Sequence, residues 1–257
     1  MKILESLLPK LFITLIPSSE GVHLYAELRK NAKVIKRFEE QTVKSVESLE
    51  KKVRHFERES TVSYISLLET EAAQGVFSDC TQMGVADPSR FEMVCMDEKW
   101  GVYMDRDDLF ERQRDYKSIG LDFLFSPFSV LYNFYQQSMQ KDDGLYLLLG
   151  DGFIVGSVVK NGVLLYGTQL KMPEPLSFLE GTVLLDNYVQ TVQSLVKAFY
   201  EAKAGGAMFI EKIYMADALG FDVRLENRLE EELFVEVEKR SIDLAHELVV
   251  LGEMELS

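Results

Sequence analysis

Residues 146–170 read YLLLGDGFIVGSVVKNGVLLYGTQL and decide the fold of this chain. They contain three apolar runs separated by two turns, Gly150-Asp151-Gly152 and Asn161-Gly162. Asn-Gly between apolar runs is a strong hairpin signal, because both residues tolerate the positive φ of a type I′ turn. The sequence therefore predicts three consecutive antiparallel strands, at 145–149, 153–159 and 163–166.

A second strand triplet lies near the amino terminus, and its first turn is Pro17-Ser18-Ser19-Glu20-Gly21. Its predicted strands are 11–16, 22–28 and 32–39. Helices are predicted at 106–119, where Gly120 is a good C-terminal cap, and at 128–139. A third helix is predicted at 179–203, because its apolar side chains recur at spacings of three and four. This arrangement predicts an α/β protein with two similar lobes, each a mixed sheet flanked by helices.

Composition limits the function classes. The chain has 257 residues, 47% of them hydrophobic, so it can bury a sizeable core. Its formal net charge of −14 disfavours direct binding to nucleic acid or anionic lipid, which both require clustered Lys and Arg. There is no run of 18 apolar residues, and Met1–Lys10 lacks the features of a signal peptide. We therefore expect a cytoplasmic protein.

Acidic residues are concentrated between Glu226 and Glu238, where six of the thirteen residues are glutamates. Two interpretations remain open for this segment. It is either a solvated helix face or an acidic surface that binds a partner.

The sequence contains no catalytic or metal-binding motif. Cys80 and Cys95 are fifteen positions apart and lack the spacing of a metal or redox pair, so we expect buried or reduced thiols. The three histidines, His23, His55 and His246, stand in unrelated contexts. Neither a nucleophile elbow nor a Walker-type phosphate loop is present.

The glycine hairpin resembles the second phosphate-binding segment of the actin-like ATPase superfamily, in its PilM, GspL and FtsA branch. That segment usually reads Asp-Ile-Gly-Asp-Gly followed by small hydroxyl residues. Gly150, Asp151 and Gly152 match it without a gap. The leading Asp of the family, however, falls on Leu148, and the hydroxyl positions fall on Phe153 and Ile154.

The other two nucleotide-binding segments of the family also differ here. Where relatives read Asp-Ile-Gly-Ser-Ser in the first phosphate loop, this chain has Leu15-Ile16-Pro17-Ser18-Ser19. Leu15 cannot coordinate a metal, and Pro17 has no N–H to offer a phosphate. The glycine pair of the adenosine loop is replaced by Ala216-Asp217, ahead of elements predicted as a helix at 220–233, a strand at 234–238 and a helix at 242–256.

The resemblance thus implies an actin-like (ribonuclease H-like) fold whose nucleotide loops are degenerate. The altered or retained loop positions are Leu15, Pro17, Ser18, Ser19, Gly150, Asp151, Gly152, Ala216 and Asp217. We expect no metal, no catalytic residue and no cofactor; ATP binding is disfavoured and at best very weak. The implied domains are a first lobe at 1–140, with a small inserted subdomain at about 60–125, and a second lobe at 141–257.

For function, the resemblance implies a non-catalytic scaffold of an inner-membrane type II secretion, type IV pilus or DNA-uptake machine. Such a scaffold docks the cytoplasmic tail of a bitopic membrane protein or the motor ATPase. The alternative is an ATP-binding actin-like ATPase or a filament-forming protein. A sugar-kinase-like enzyme is disfavoured because neither Leu15 nor Leu148 can act as a base.

The implied partner surface is the inserted subdomain, because PilM-like relatives dock the partner's tail between this subdomain and the core of the first lobe. The aromatic candidates there are Tyr64, Trp100 and Tyr103. Trp100 has a second interpretation, in which it packs in the core of the subdomain.

Overall fold

The structure is a computed structural model that describes residues 8–31, 33–80, 87, 89–98, 100–172, 181–202 and 208–256. The strands are β1 Lys10–Ser18, β2 Gly21–Lys30, β3 Lys33–Val43, β4 Ser63–Leu68, β5 Gln74–Phe77, β6 Phe91–Asp97, β7 Trp100–Asp105, β8 Phe123–Phe125, β9 Gly144–Gly150, β10 Phe153–Lys160, β11 Val163–Lys171, β12 Lys212–Asp217 and β13 Glu236–Ser241. The helices within these ranges are α1 Val46–Glu57, α2 Arg106–Asp115, α3 Pro127–Met139, α4 Gly181–Glu201, α5 Val223–Leu233 and α6 Leu244–Glu255. The ends of the predicted helix at 179–203 lie outside the described residues.

Two five-stranded sheets share one topology. The first has the order β3-β2-β1-β4-β8, and the second has the order β11-β10-β9-β12-β13. In each sheet the two hairpins of the triplet are antiparallel, and the strands that follow pair in parallel. The prediction of an α/β fold with two similar mixed sheets is therefore confirmed.

The chain folds into two compact units, each assembled from separate segments. Unit 1 contains the residues up to Glu71, Leu109–Ser126 and the residues from Asp243 onward. Unit 2 contains Ala72–Asp108 and Pro127–Ile242. These units differ from the predicted split into 1–140 and 141–257, because α3 packs on β9 and β10 whereas α6 packs on β1 and β4.

The Asn161-Gly162 turn has the predicted conformation, with φ of 51° and 70° at its two residues. The backbone N–H of Asn161 also donates to Asp143 Oδ1 at 2.6 Å, which anchors the turn to the start of β9. The turn sets the pairing of Lys160 with Val163 and of Val159 with Leu164, and beyond these pairs the register of β10 with β11 shifts between Val158 and Val159.

The core of unit 2 forms around β9, in which all seven residues are buried. Leu145, Leu147 and Leu149 face α4 and α5, and they pack with the apolar stripe of α4. The opposite face carries Tyr146, whose ring stacks on Tyr214 of β12 at 4.7 Å. Burial of both faces explains why β9 reads as a continuous apolar run instead of an alternating one.

Unit 1 repeats this plan with β1 as its central strand. Leu11, Ile13 and Leu15 face α1 and pack against Val53 and Leu49. The other face is more polar. There Glu27 of β2 is fully buried, accepts hydrogen bonds from Tyr25 and Arg37, and lies 3.5 Å from Arg29.

A three-stranded antiparallel sheet, β5-β7-β6, belongs to unit 2. Cys80 and Cys95 are joined there by a disulfide, with their Cα atoms 6.0 Å apart. The expectation of buried or reduced thiols was therefore wrong. The spacing of two cysteines in sequence cannot show that the return of the chain through β7 brings them together.

The longest described helix, α4, has 21 residues and a markedly amphipathic sequence. Its length would suffice to cross a bilayer, but its polar face carries Asp186, Gln190 and Gln193. None of the helices in the described ranges is both long enough and apolar enough for a membrane span.

The contribution of the α4 stripe can be measured with one substitution at two positions in this helix. Val192 is fully buried, whereas Val183 is 52% exposed. We expect Val192→Ala to lower the free energy of unfolding by about 2 kcal/mol, since it removes buried methyl groups and leaves a cavity. Val183→Ala should change it by less than about 0.5 kcal/mol. Urea unfolding of both variants decides the matter, and equal losses would contradict the assigned packing.

Candidate functional site

The β9–β10 turn contains the positions that the family resemblance assigns to the second phosphate loop. Gly150 pairs with Phe153, so Asp151 and Gly152 form a two-residue turn between the strands. Gly152 has a φ of 81°, and a Cβ atom added to it would meet no atom within 4 Å. Leu148, at the position of the family's leading Asp, is fully buried and points away from solvent. The turn therefore keeps its glycine backbone but presents no metal-binding carboxylate from β9.

The ring of Phe153 lies directly against Gly150. A Cβ atom on Gly150 would come within 2.2 Å of two carbons of this ring. The carbonyl oxygen of Gly150 is occupied as well, because the Tyr188 hydroxyl of α4 donates to it at 2.8 Å. In a phosphate loop, glycine provides open backbone that a ligand can approach. Here the space beside Gly150 is filled by aromatic carbon.

The β1–β2 turn contains the positions that the family resemblance assigns to the first phosphate loop. Leu15 is fully buried in the core under α1. Pro17 pairs with Val22 inside the strand ladder, and the Ser18 hydroxyl donates to the Gly21 carbonyl at 3.0 Å. Ser19 and Glu20 complete a tight turn. Leu15 and Pro17 stand where the resembling family has its acid and its glycine.

The end of β12 contains the positions that the family resemblance assigns to the adenosine loop. Ala216 and Asp217 are buried, and they pair in parallel with Leu148 and Leu149 of β9. Asp217 Oδ1 accepts the backbone N–H groups of Leu219 and Gly220, at 2.8 and 3.1 Å. The carboxylate thus satisfies two backbone N–H donors of the turn that follows it. In the resembling family a glycine pair stands in place of Ala216 and Asp217.

Two of the three loops meet around Tyr188. Its pKa is raised, first by burial and then by the negative charges of Asp151 and Asp217. Asp151 of the β9–β10 turn and Asp217 at the end of β12 therefore both lie near the Tyr188 hydroxyl. Across the described residues, no group of three His, Cys, Asp or Glu side chains is placed to hold a metal ion.

Sequence reasoning identified the loop positions but missed the role of Tyr188. This residue was visible only as one member of the apolar stripe of α4. Neither spacing nor periodicity indicates that its hydroxyl would reach the carbonyl of Gly150, since the two are 38 residues apart. A tyrosine in place of an aliphatic residue on a buried helix face was the only available signal.

Trp100 and Tyr103, two of the aromatic candidates for partner binding, lie on β7 but face opposite sides of the small sheet. Trp100 is only 3% exposed, and its ring lies 5.2 Å from that of Tyr132 in α3. Burial, together with a hydrogen bond to Asp97, raises the pKa of Tyr132 to about 12. Trp100 is thus a core residue, as the second interpretation had it.

Tyr103 and Tyr64 are half-buried, and they belong to different units. The Tyr103 ring covers Gly75 and meets Phe91 edge-on at 5.0 Å. The Tyr64 ring lies in unit 1, between Phe12 at 5.7 Å and Phe123 at 6.0 Å. Each is therefore one edge of an aromatic cluster with part of its ring in solvent.

The packing of Phe153 on Gly150 can be tested by a double-mutant cycle. Gly150→Ala should lower the free energy of unfolding by about 2 kcal/mol, because its methyl group overlaps the ring. In a Phe153→Ala background the same change should cost less than half as much, since the ring is gone. Urea unfolding of the four proteins measures the coupling. Additive effects would show that the ring does not lie on this glycine.

Comparison with known families and solved structures gives independent evidence on the fold. Two family profiles match, each described as a domain of unknown function: DUF8569 over residues 8–132 and DUF8341 over residues 180–257. A search of curated proteins found no significant match.

Solved structures resemble the chain over nearly its full length. The PilM–PilN type IV pilus biogenesis complex matches with 12% identity and a TM-score of 0.60, over 93% of this chain and 98% of that one. A Bacteroides thetaiotaomicron protein with an actin-like ATPase fold and unknown function matches with 11% identity and a TM-score of 0.59, over 98% of both chains. MreB5 of Spiroplasma citri bound to AMPPNP matches with 10% identity and a TM-score of 0.52, over 96% of this chain and 97% of that one. With two sheets of the same strand order and this set of neighbours, the chain has the actin-like ATPase fold.

Proposed function

We propose that this chain is a non-catalytic actin-like scaffold of an inner-membrane machine, of the type IV pilus, type II secretion or DNA-uptake class. In this role it docks the cytoplasmic tail of a bitopic membrane protein or a motor ATPase, and its partner holds it at the inner face of the membrane. The likeness to PilM in its complex with PilN supports the class of partner. The scaffold role itself rests on the loops.

The observation that carries the proposal is the Phe153 ring against Gly150. Backbone approach by a phosphate needs the volume that this ring occupies. Moving a buried aromatic ring out of its packing would cost about 3 kcal/mol or more, by analogy with large-to-small substitutions in cores. A loss of that size lowers affinity by about two orders of magnitude before any other contact is considered.

The other altered loop positions also weaken nucleotide binding. Leu15 and Leu148 offer no ligand for magnesium and no group to orient a water molecule. Asp217 adds a negative charge beside the adenosine loop and already holds the N–H donors of the turn. Since these losses involve metal, phosphate and adenosine contacts separately, they add to one another in free energy.

The alternative is an ATP-binding actin-like ATPase or a filament-forming protein. One observation favours it: Gly152 remains open, with a positive φ and no atom within 4 Å of the position that a Cβ would take. The resemblance in fold to MreB5 bound to AMPPNP is a second. A phosphate that contacted only the backbone of Gly152 would not need the space beside Gly150, which the Phe153 ring fills.

Tyr103 is the better remaining candidate for partner binding. It is half-buried on one face of the small sheet, and the half-buried Phe91 and Met93 lie beside it. Together these three side chains form an apolar face into which a peptide could place its own apolar residues. Tyr64 remains a candidate in unit 1, whereas Trp100 serves the core.

ATP binding is the first test. We expect titration calorimetry with ATP and magnesium to detect no binding and a coupled assay to detect no hydrolysis, because the metal, phosphate and adenosine contacts are all impaired. An actin-like protein that binds nucleotide, such as MreB5, serves as the positive control for both assays. A dissociation constant in the micromolar range, or ATP-dependent filaments in light scattering, would replace the scaffold with the alternative.

Partner capture is the second test. The probes are fluorescent peptides that cover the cytoplasmic tails of the bitopic proteins in the same cell's pilus or secretion machine. For a tail that binds, Tyr103→Ala should weaken binding at least ten-fold with little change in thermal stability, and Tyr103→Phe should bind normally. Trp100→Ala should instead lower stability by about 3–5 kcal/mol, because it empties a core position. Full affinity in Tyr103→Ala would remove this face from the proposal.

A further inference from the structure

Unit 2 exposes three aromatic side chains at the end of its sheet where β12 and β13 begin. Phe234 is 91% exposed, Phe209 is 76% exposed, and Tyr200 is 43% exposed. We call these three residues the aromatic patch. Large apolar side chains that stay in water singly are common, but three at one end of one unit mark a candidate interaction surface.

Hydrogen bonds and helix pairing place the three residues together. The Tyr200 hydroxyl accepts the backbone N–H of Ile210, the residue next to Phe209, at 3.0 Å. The Glu236 N–H donates to the Glu211 carbonyl at 2.9 Å, so the segments that carry Phe209 and Phe234 enter the sheet side by side.

The direction of the helices agrees with this placement. Arg228 of α5 pairs with Asp186 of α4, and Glu232 of α5 accepts from Gln193 of α4, so the two helices run in parallel. Tyr200 lies in the last turn of α4, and Phe234 directly follows α5. Both helices therefore end at the patch.

The conformation of Phe234 is unusual for its residue type. It caps α5 with φ 56° and ψ 43°, the left-handed region in which glycine is the preferred residue. The sequence predicted a strand from this residue, but β13 begins two residues later because Phe234 ends the helix instead. A bulky residue in this region is strained, and the exposed ring gains no packing in return. The side chain is thus not explained by the stability of the unit.

The charges around the patch determine what it can bind. Most glutamates of the 226–238 segment are used within the unit, since Glu226, Glu232, Glu236 and Glu238 pair with Lys239, Arg228, Lys212 and Arg240. Glu211 and Glu231 differ, because both are exposed and neither forms a salt bridge within the described part of the chain. They lie next to the segments that carry Phe209 and Phe234. The patch is therefore apolar with unneutralised acid beside it.

We propose that the aromatic patch docks a cationic amphipathic segment of a partner protein, whose apolar side chains contact the three rings and whose Lys or Arg side chains face Glu211 and Glu231. The acidic side chains favour this occupant over a second copy of the chain. Two copies meeting at this patch would place the same acidic groups opposite each other, and each copy carries a net charge of −14. The acidic side chains also argue against an anionic membrane surface. This surface needs neither a nucleotide nor the Tyr103 face, so the inference goes beyond the proposed function.

The test uses the full chain and a synthetic 18-residue amphipathic helix of leucine and lysine, with a leucine and glutamate peptide of the same pattern as its counterpart. Fluorescence anisotropy should show binding of the lysine peptide and none of the glutamate peptide. Phe209→Ser combined with Phe234→Gly should weaken binding at least ten-fold. Phe234→Gly alone should unfold at the same temperature as the parent or a higher one, because glycine accepts the left-handed conformation.

Matched controls separate the patch from general charge. Phe110, 64% exposed on α2, supports the control Phe110→Ser, which should bind like the parent. Glu231→Lys should weaken binding more than Glu255→Lys, which makes the same change in net charge at an exposed position of α6. The proposal is overturned if the parent does not bind the lysine peptide or if the double variant binds equally well. It is also overturned if the parent is a dimer by light scattering that the double variant turns into a monomer.

Discussion

The parallel pairing of β9 with β12 is the interaction on which unit 2 depends. Strand β9 is buried on both faces, so its backbone groups have no access to water and must be satisfied by β10 on one side and β12 on the other. That requirement fixes where β12 ends, at Asp217 beside Leu149. The turn that follows β12 is thereby placed against the turn that follows β9. The candidate nucleotide loops of this unit are adjacent because a buried strand needs two partners.

Burial of β9 on both faces also explains why leucine is favourable at position 148. In a strand buried on both faces, an apolar side chain adds to the core, while a carboxylate would need a compensating cation. With Leu148, Ala216 and Phe153 all buried around Gly150, the end of β9 is packed as core. The buried side chains fill the same space beside Gly150 that a ligand would have to enter. The proposed loss of the nucleotide site and the tight packing of this end would then have one cause.

The two units use similar sheets and distribute polarity differently. Unit 2 buries tyrosines between β9, β12 and α3, whereas unit 1 buries a carboxylate, Glu27, among arginines beneath α6. A buried ion cluster contributes little net stability but is costly to break, so it holds α6 in one register on the sheet. Two of the proposed partner surfaces, the Tyr103 face and the aromatic patch, lie in unit 2, and the remaining candidate, Tyr64, lies in unit 1.

Much of the fold could be predicted from local pattern. The two strand triplets, the type I′ turn at Asn161-Gly162 and the order of elements after β12 follow from apolar periodicity and turn chemistry, which act over a few residues. The positions of the candidate loops followed too, since Gly150 and Gly152 stand at strand ends. What those loops can bind did not follow. The overlap of Phe153 with Gly150, the bond from Tyr188 to the Gly150 carbonyl and the capping by Asp217 depend on side-chain directions set by the whole sheet.

Local pattern and long-range packing determined different parts of this structure. The sequence by itself determined two mixed sheets with apolar central strands, because hydrophobic alternation and glycine turns are properties of neighbouring residues. Only the tertiary structure decided that 72–108 folds with unit 2, that the last helix closes unit 1, and that Cys80 meets Cys95. It also decided that Phe234 would remain in water while Trp100 became core. Burial is a property of how elements pack, and packing partners far apart in sequence leave no periodic signal.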